Sequence, residues 1–293
     1  MTGKVRVEVE GRSLTLTNLG KVLYPDAVFT KAEVIDYYTR TAPVLLPHLR
    51  GRPLTVKRYP DGVDGQFFFE KNAPGHTPDW VRTVTLPAPG SSKGREKIDF
   101  AVVDDLATLV YYANLAALEL HVPMWRVSEE GVPLPPDTLV FDLDPGAPAT
   151  IVECCEVALL LREALDEDGY EGSPKTSGIK GMQLYVPWDS DEDASAYARA
   201  LARRLEHRHA FVTSVMAKRE RPGKVFIDWS QNNPAKTTVA PYSLRAGSAP
   251  AVSTPLSWEE VDACTSPEQL VFTARDVLDR VQRHGDLFRA STA

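Results

Sequence analysis

The sequence predicts a mixed fold of strands and helices, α/β or α+β. Three observations carry that prediction. Apolar residues alternate with polar ones along residues 4–17, the period of a strand. Longer stretches such as 150–168 repeat apolar residues at the 3.6-residue period of a helix with one buried face. In the second half the order strand, helix, strand, helix, strand suits a small mixed sheet with helices packed on it.

Taken in order, Val5, Val7 and Val9, then Leu14 and Leu16, read as a hairpin turning at Glu10-Gly11-Arg12. Thr30 three residues before Glu33 has the spacing of a capping box. It starts a helix with Val34, Tyr37, Tyr38, Thr41 and Leu45 on one face. Pro47, which cannot donate a helical hydrogen bond, ends that helix at about residue 46. Residues 54–59 read as a strand followed by an Asp61-Gly62 turn, Phe67-Phe68-Phe69 as a short aromatic run, and 87–94 as a loop. Residues 105–120, rich in Ala and Leu, read as a buried helix closed by His121. Beyond it, 138–143, 182–187 and 224–229 read as strands, and 150–168, 194–209 and 267–283 as helices. No repeat, low-complexity tract or linker divides the chain. The expectation is one domain over 1–293, with an N-terminal subregion over about 1–130, a core over about 131–250 and a C-terminal helix over about 255–293.

A hydrophobic content of 43% and a charged content of 25% are those of a globular chain, and no apolar run approaches the ~20 residues that span a bilayer. Cys154, Cys155 and Cys264 have neither a disulfide framework nor zinc-finger spacing, which points to a reducing cytoplasm. The net charge of −7 speaks against a nucleic-acid partner, but the charge is unevenly spread. Residues 1–60 hold ten Lys/Arg against five Asp/Glu and residues 199–245 ten against three, while 151–198 hold three against eleven. An acidic protein built this way can still present basic surfaces.

Three motifs carry the chemistry. In Asp142-Leu143-Asp144 two carboxylates project from one face of an apolar strand, where a hard divalent cation relieves their repulsion. Asp228, in Val225-Phe226-Ile227-Asp228-Trp229, adds a third carboxylate from another strand and completes a site for two metals. In Ser177-Gly178-Ile179-Lys180-Gly181 the glycines let backbone N–H groups approach phosphate oxygens, and Lys180 adds a charge for a triphosphate. Arg219, Arg221, Lys236 and Arg245 are basic residues near that cradle, and Gln231 a polar one. Phe67–Phe69 beside Lys57 and Arg58 suit base stacking, and Lys21 and Lys31 flank a helix start suited to a terminal phosphate.

These stretches resemble the polymerase domain of bacterial DNA ligase D, of the archaeo-eukaryotic primase superfamily. The resemblance extends to Leu54-Thr-Val-Lys57-Arg58-Tyr59-Pro60-Asp61-Gly62, to Phe68-Phe69-Glu70-Lys71-Asn72 and to Asn114-Leu-Ala-Ala-Leu-Glu-Leu-His121, nearly the whole chain in order. It implies an α+β fold of mixed and antiparallel sheets with flanking helices around a primase-polymerase, RRM-like core. It implies metal binding by Asp142, Asp144 and Asp228, with two divalent ions, Mn²⁺ or Mg²⁺. Nucleotide contacts follow at Lys57, His121, Ser177, Lys180, Arg221, Gln231 and Arg245. Lys21 and Lys31 would receive a DNA 5′-phosphate, and Phe68 and Phe69 would stack near the template. The activity implied is template-dependent addition of nucleotides, ribonucleotides preferred over deoxyribonucleotides, to primer 3′ ends at gaps or breaks, in a bacterial cytoplasm or nucleoid. Ku and a separate ATP-dependent ligase are the implied partners of a stand-alone, monomeric polymerase. One departure stands out: where the family's second motif ends in His, this chain has Met182-Gln183. The competing readings are a non-catalytic module that binds 5′-phosphorylated ends and a phosphohydrolase of the DxD type. The second fits poorly, because Gly146 stands where such enzymes carry Thr or Val.

Overall fold

The computed structural model describes residues 3–88, 94 and 96–288. The chain opens with an antiparallel hairpin of β1 (Lys4–Val9) and β2 (Arg12–Thr17), in register from Lys4↔Thr17 to Val9↔Arg12. Glu10 and Gly11 at its turn both have positive φ, 50° and 73°, the backbone that a two-residue turn matching the twist of its strands requires. A second small pair, β3 (Val22–Tyr24) and β4 (Phe29–Thr30), leads into α1 (Lys31–Leu49). Thr30 and Glu33 close the expected capping box. The helix does not stop at Pro47. It runs through Pro43 and Pro47 to Leu49. A proline inside a helix costs about 3 kcal/mol. Val34, Tyr37, Tyr38, Leu45 and Leu49 are all buried on this helix, and at about 1.5–3 kcal/mol each their burial outweighs the two breaks.

β5 (Thr55–Arg58) and β6 (Phe68–Glu70) follow, then the hairpin of β7 (Thr83–Pro87) and β8 (Lys97–Ala101). Most of the loop expected at 87–94 lies outside the described residues. The helix expected over 105–120 is half helix and half strand. α2 (Leu106–Asn114) ends, Ala116 turns the chain at a φ of 57°, and β9 (Ala117–Val122) begins. β9 is covered on both sides, so its near-continuous apolar run lacks the alternation that marks a strand. His121 therefore stands on a strand and does not close a helix. The sheet order here is β17 (Thr238–Val239), β9, β5, β6, all antiparallel.

After a short pair, β10 (Trp125–Val127) and β11 (Pro133–Pro136), comes the second sheet. Its chain order is β12 (Thr138–Pro145), α3 (Ile151–Glu167), β13 (Ser173–Thr176), β14 (Met182–Pro187), α4 (Ala194–Arg208), β15 (Val212–Thr213), β16 (Val225–Asp228). Its spatial order is β13-β14-β12-β16-β15, antiparallel except for the parallel pair β15–β16. The C-terminal region is not one helix. It holds α5 (Trp258–Asp262), a 3₁₀ turn over Pro267–Leu270 and α6 (Ala274–His284). Asp276 accepts from both the N–H and the hydroxyl of Thr273, and this capping starts a separate helix there.

Alternation along β12 explains where the core and the site sit. Leu139, Phe141 and Leu143 face α3, α4 and α5 in one buried cluster. Val140 and Tyr185 face the other way and join a second cluster around the four-stranded sheet, α1, α2 and α6. Asp142 and Asp144 share the face of Val140, so the acids look toward the gap between the two sheets. Segment 238–256 bridges that gap: Ser243 Oγ accepts from Leu120 N on one side, and Thr254 N donates to Thr176 on the other. Cys154, Cys155 and Cys264 are free and buried, and the Cys154 thiol donates to the Leu143 carbonyl behind the acids.

Candidate active site

The sheet register brings the three predicted acids together. Asp142 and Asp228 are direct partners on β12 and β16, and Asp144 lies two residues along the same face. Burial pushes the Asp142 carboxyl up, and although Gln183 donates a hydrogen bond to it, the charges of Asp228 and Asp144 add to the rise and bring it to about 6. The side chains do not yet converge: among the described residues no three such groups form a ready-made metal cluster. Asp144 is engaged by Lys180 Nζ at 2.8 Å and Arg221 Nη1 at 3.2 Å. Asp228 caps the 3₁₀ turn Trp229–Asn232 through Ser230 and also accepts from Gln231 Nε2 at 3.0 Å. All three present hard carboxylate oxygens from one side of adjacent strands, and like charges at that spacing call for a counter-cation. The donor set fits Mg²⁺ or Mn²⁺ once the side chains of Asp144 and Asp228 turn inward.

Beside the acids lies a polar cleft of about 260 Å³. His121, Asp142, Asp144, Ser177, Lys180, Gln231 and Arg245 all line it, together with Gln183. The Ser177–Gly181 loop folds on itself: the N–H groups of Ile179 and Gly181 both donate to Ser177 Oγ, which closes the turn. Two glycines are required. Gly178 has a φ of 75°, and a Cβ on Gly181 would stand 2.2 Å from the Leu143 carbonyl. Arg221 lies over the Phe226 ring, which holds its guanidinium beside Asp144. Lys236 bonds Ser230 and approaches Asp228 to 3.9 Å, whereas Arg219 is at the surface, paired with Glu220. Gln183, the departure from the resembled motif, donates Nε2–H to Asp142 Oδ1 at 3.0 Å.

The sequence reading did not single out Glu119, which organises the other wall. It is 1% exposed, and Lys57, Tyr59 and the Ala246 N–H bond to Oε1. His121 bonds Oε2 at 3.0 Å, and Arg245 approaches it to 3.6 Å. Burial alone would raise this carboxyl, but the His121 hydrogen bond and the charges of Arg245, His121 and Lys57 outweigh it and hold it at about 2. Burial lowers His121 in turn, against the pull of Glu119. A Glu two residues before the noted His was the only local sign. Its partners come from segments far apart in sequence.

The remaining predicted residues lie outside the cleft. Phe67, Phe68 and Phe69 are each about half exposed. Phe69 packs edge-on against His121, and Phe67, passed over in favour of its neighbours, lies under the Lys57 ammonium. From Phe69 an apolar groove of about 950 Å³ runs past Trp125, Leu134 and Pro136 and meets the cleft at Thr237. Lys21 and Lys31 stand together around β3 and β4. Lys31 Nζ donates to the Thr17 carbonyl, and Lys21 pairs with Asp61 at 2.7 Å. Burial, with the charges of Lys21 and Arg58, lowers Lys31 to about 8. No helix among the described residues is long and apolar enough to cross a membrane.

The chain is similar to known proteins along most of its length. The profile of a family described as LigD, primase-polymerase domain, matches residues 30–288. The multifunctional non-homologous end joining protein LigD of Mycolicibacterium smegmatis is 43% identical over 276 residues, which cover 93% of this chain and 35% of that protein. The bifunctional non-homologous end joining protein LigD of Bacillus subtilis is 32% identical over 278 residues, covering 93% of this chain and 43% of that protein. The chain thus spans well under half the length of these relatives. A solved structure, the polymerase domain from Mycobacterium tuberculosis ligase D in complex with DNA, superposes with a TM-score of 0.87 at 42% identity, covering 94% of this chain and 96% of that one.

Proposed function

The chain belongs to the LigD primase-polymerase domain family, and from that membership we propose that it is a nucleotidyltransferase that extends DNA primer ends at gaps and breaks during end joining. The observation that carries the proposal is the meeting of Asp142, Asp144 and Asp228 on adjacent strands, beside a cleft lined by Ser177, Lys180 and Arg245 and with Arg221 paired to Asp144. A triphosphate carries several negative charges, and a cleft with this arrangement neutralises them without a hydrophobic anchor.

Asp142, Asp144 and Asp228 would hold two divalent ions, Mn²⁺ or Mg²⁺. When bound, such ions lower the pKa of the primer hydroxyl and neutralise the leaving pyrophosphate. Lys180 and Arg221, now paired with Asp144, would pass from that carboxylate to phosphate oxygens as the acids turn toward the cations. The Ser177 hydroxyl would donate to a further phosphate oxygen. Gln231 steadies Asp228, and Glu119 holds Lys57, His121 and Arg245 at the nucleotide's other end. Phe68 and Phe69 offer exposed rings to template bases, and Lys21 and Lys31 offer cations to a downstream 5′-phosphate. A preference for ribonucleotides, and work alongside Ku and a DNA ligase activity, are further parts of this reading.

The test is extension of a labelled primer on gapped DNA bearing a downstream 5′-phosphate, with Mn²⁺ and each of NTP and dNTP. The expected outcome is incorporation that Asp228→Ala and Asp142→Asn each reduce by at least about 10³-fold, as loss of a metal-bearing acid should. Tight binding to the phosphorylated gap with no incorporation would replace the polymerase by an end-binding module.

A further inference from the structure

Four residues form one row across the five-stranded sheet. Lys175 on β13 is the register partner of Gln183 on β14, Gln183 of Asp142 on β12, and Asp142 of Asp228 on β16. Cross-strand partners share a face, so the row runs on the cleft side from a lysine to two of the proposed metal acids. Lys175 is 0% exposed, and none of the steps above uses it. Its Nζ donates to Gln183 Oε1 at 2.5 Å and to Ser253 Oγ at 2.6 Å, and it lies over the Tyr185 ring. Ser253 in turn donates its hydroxyl hydrogen to the Thr176 carbonyl, which leaves its lone pairs for Lys175.

Donor inventory fixes the direction of this chain. The lysine nitrogen donates to both neighbours, so the oxygen end of the Gln183 amide faces Lys175 and the NH₂ end faces Asp142. Without Lys175, nothing on that side would stop the amide from turning end for end and setting its oxygen against the carboxylate of Asp142.

We propose that Lys175 is a positioning residue of the metal centre, which by locking the Gln183 amide holds Asp142 in the orientation that offers its second oxygen to a divalent cation. That oxygen accepts no hydrogen bond among the described residues. The inference rests on the metal role proposed for Asp142. It also gives Gln183 a purpose: an amide can link a buried lysine to a carboxylate without titrating.

The experiment is direct Mn²⁺ binding to the whole chain, read from the electron paramagnetic resonance of free Mn²⁺ with no nucleotide or DNA present. Melting temperatures are measured alongside. Asp142→Asn should abolish the binding. Lys175→Met, which keeps the bulk and removes the donors, should weaken it about tenfold or more, the usual effect of removing a residue that orients a metal ligand. On a Gln183→Leu background the same substitution should change the affinity less than about twofold, because its route to Asp142 is already cut. Unchanged Mn²⁺ affinity in Lys175→Met, or an undiminished effect on the Gln183→Leu background, overturns the inference and leaves the polymerase reading intact. Binding that is insensitive to Asp142→Asn overturns both. If Lys175→Met does not fold, Ser253→Ala removes one of the two acceptors instead. A loss of about threefold supports the inference, and no change overturns it.

Discussion

At the scale of single residues the site is governed by charges held in fixed company. Glu119 has its carboxyl held at about 2, below the ordinary value of 4.5. A carboxyl depressed on folding contributes stability that is present above the unfolded value and is lost as pH falls toward the folded one. For Glu119 this amounts to roughly 3 kcal/mol. Thermal melts should therefore show Glu119→Gln less stable than the parent at pH 6, with the gap closing between pH 4.5 and 2. The same variant should raise the nucleotide KM about tenfold while lowering kcat less, since Lys57, His121 and Arg245 are proposed to bind rather than react. Lys31 has the opposite sign. Lowered to about 8, it loses its charge as pH rises through that value. Preference for a 5′-phosphorylated over an unphosphorylated gap should fall between pH 7 and 9, and Lys31→Arg should keep it. A binding assay on the two gaps at both pH values decides this. The acids were legible in the sequence because each interrupts an apolar strand. Glu119 was not, because its role depends on Lys57 and Arg245, which only the fold brings beside it.

At the scale of elements, local chemistry set what could be read. Thr30 with Glu33 announces its helix through side chains three residues apart, and that box forms; the helix read at 150–168 from its periodicity is capped in the same way by Thr150 and Glu153. The turn at Ala116 has no such sign. A residue with a Cβ adopts positive φ there, and only tertiary contacts reveal that the helix has given way to a strand. Pro47 misled for the converse reason: a local breaker was outweighed by distant burial. The glycines of loop 177–181 were read as letting the backbone approach a phosphate; at Gly181 the structure shows a close approach to β12 instead. Gly181→Ala should cost about 1–3 kcal/mol in urea unfolding, from the clash with the Leu143 carbonyl. It should also weaken nucleotide binding, because the loop cannot then close against β12.

At the scale of the whole molecule the cleft exists only while two sheets are held at a fixed distance. No pattern in the sequence reports the order β13-β14-β12-β16-β15, since register depends on which strands meet. Nor does any pattern report where the C-terminal region packs: α6 and Phe288 return onto the first cluster, with Phe288 fully buried between Tyr185 and His48. Phe288→Ala should lower stability by about 3–5 kcal/mol. Segment 238–256 ties both clusters together, so the parent should unfold in one transition by near- and far-ultraviolet dichroism alike. Two separated transitions would mean that the sheets fold independently.

Cys154 lies directly behind β12, with its thiol on the Leu143 carbonyl and burial raising it well above its ordinary value. A thiol in that position is inert to alkylating reagents until β12 and α3 part. Its labelling rate is thus a native clock for the breathing of the five-stranded sheet, readable by mass spectrometry without an added probe. Any ligand that steadies the acids in front should slow that clock from behind.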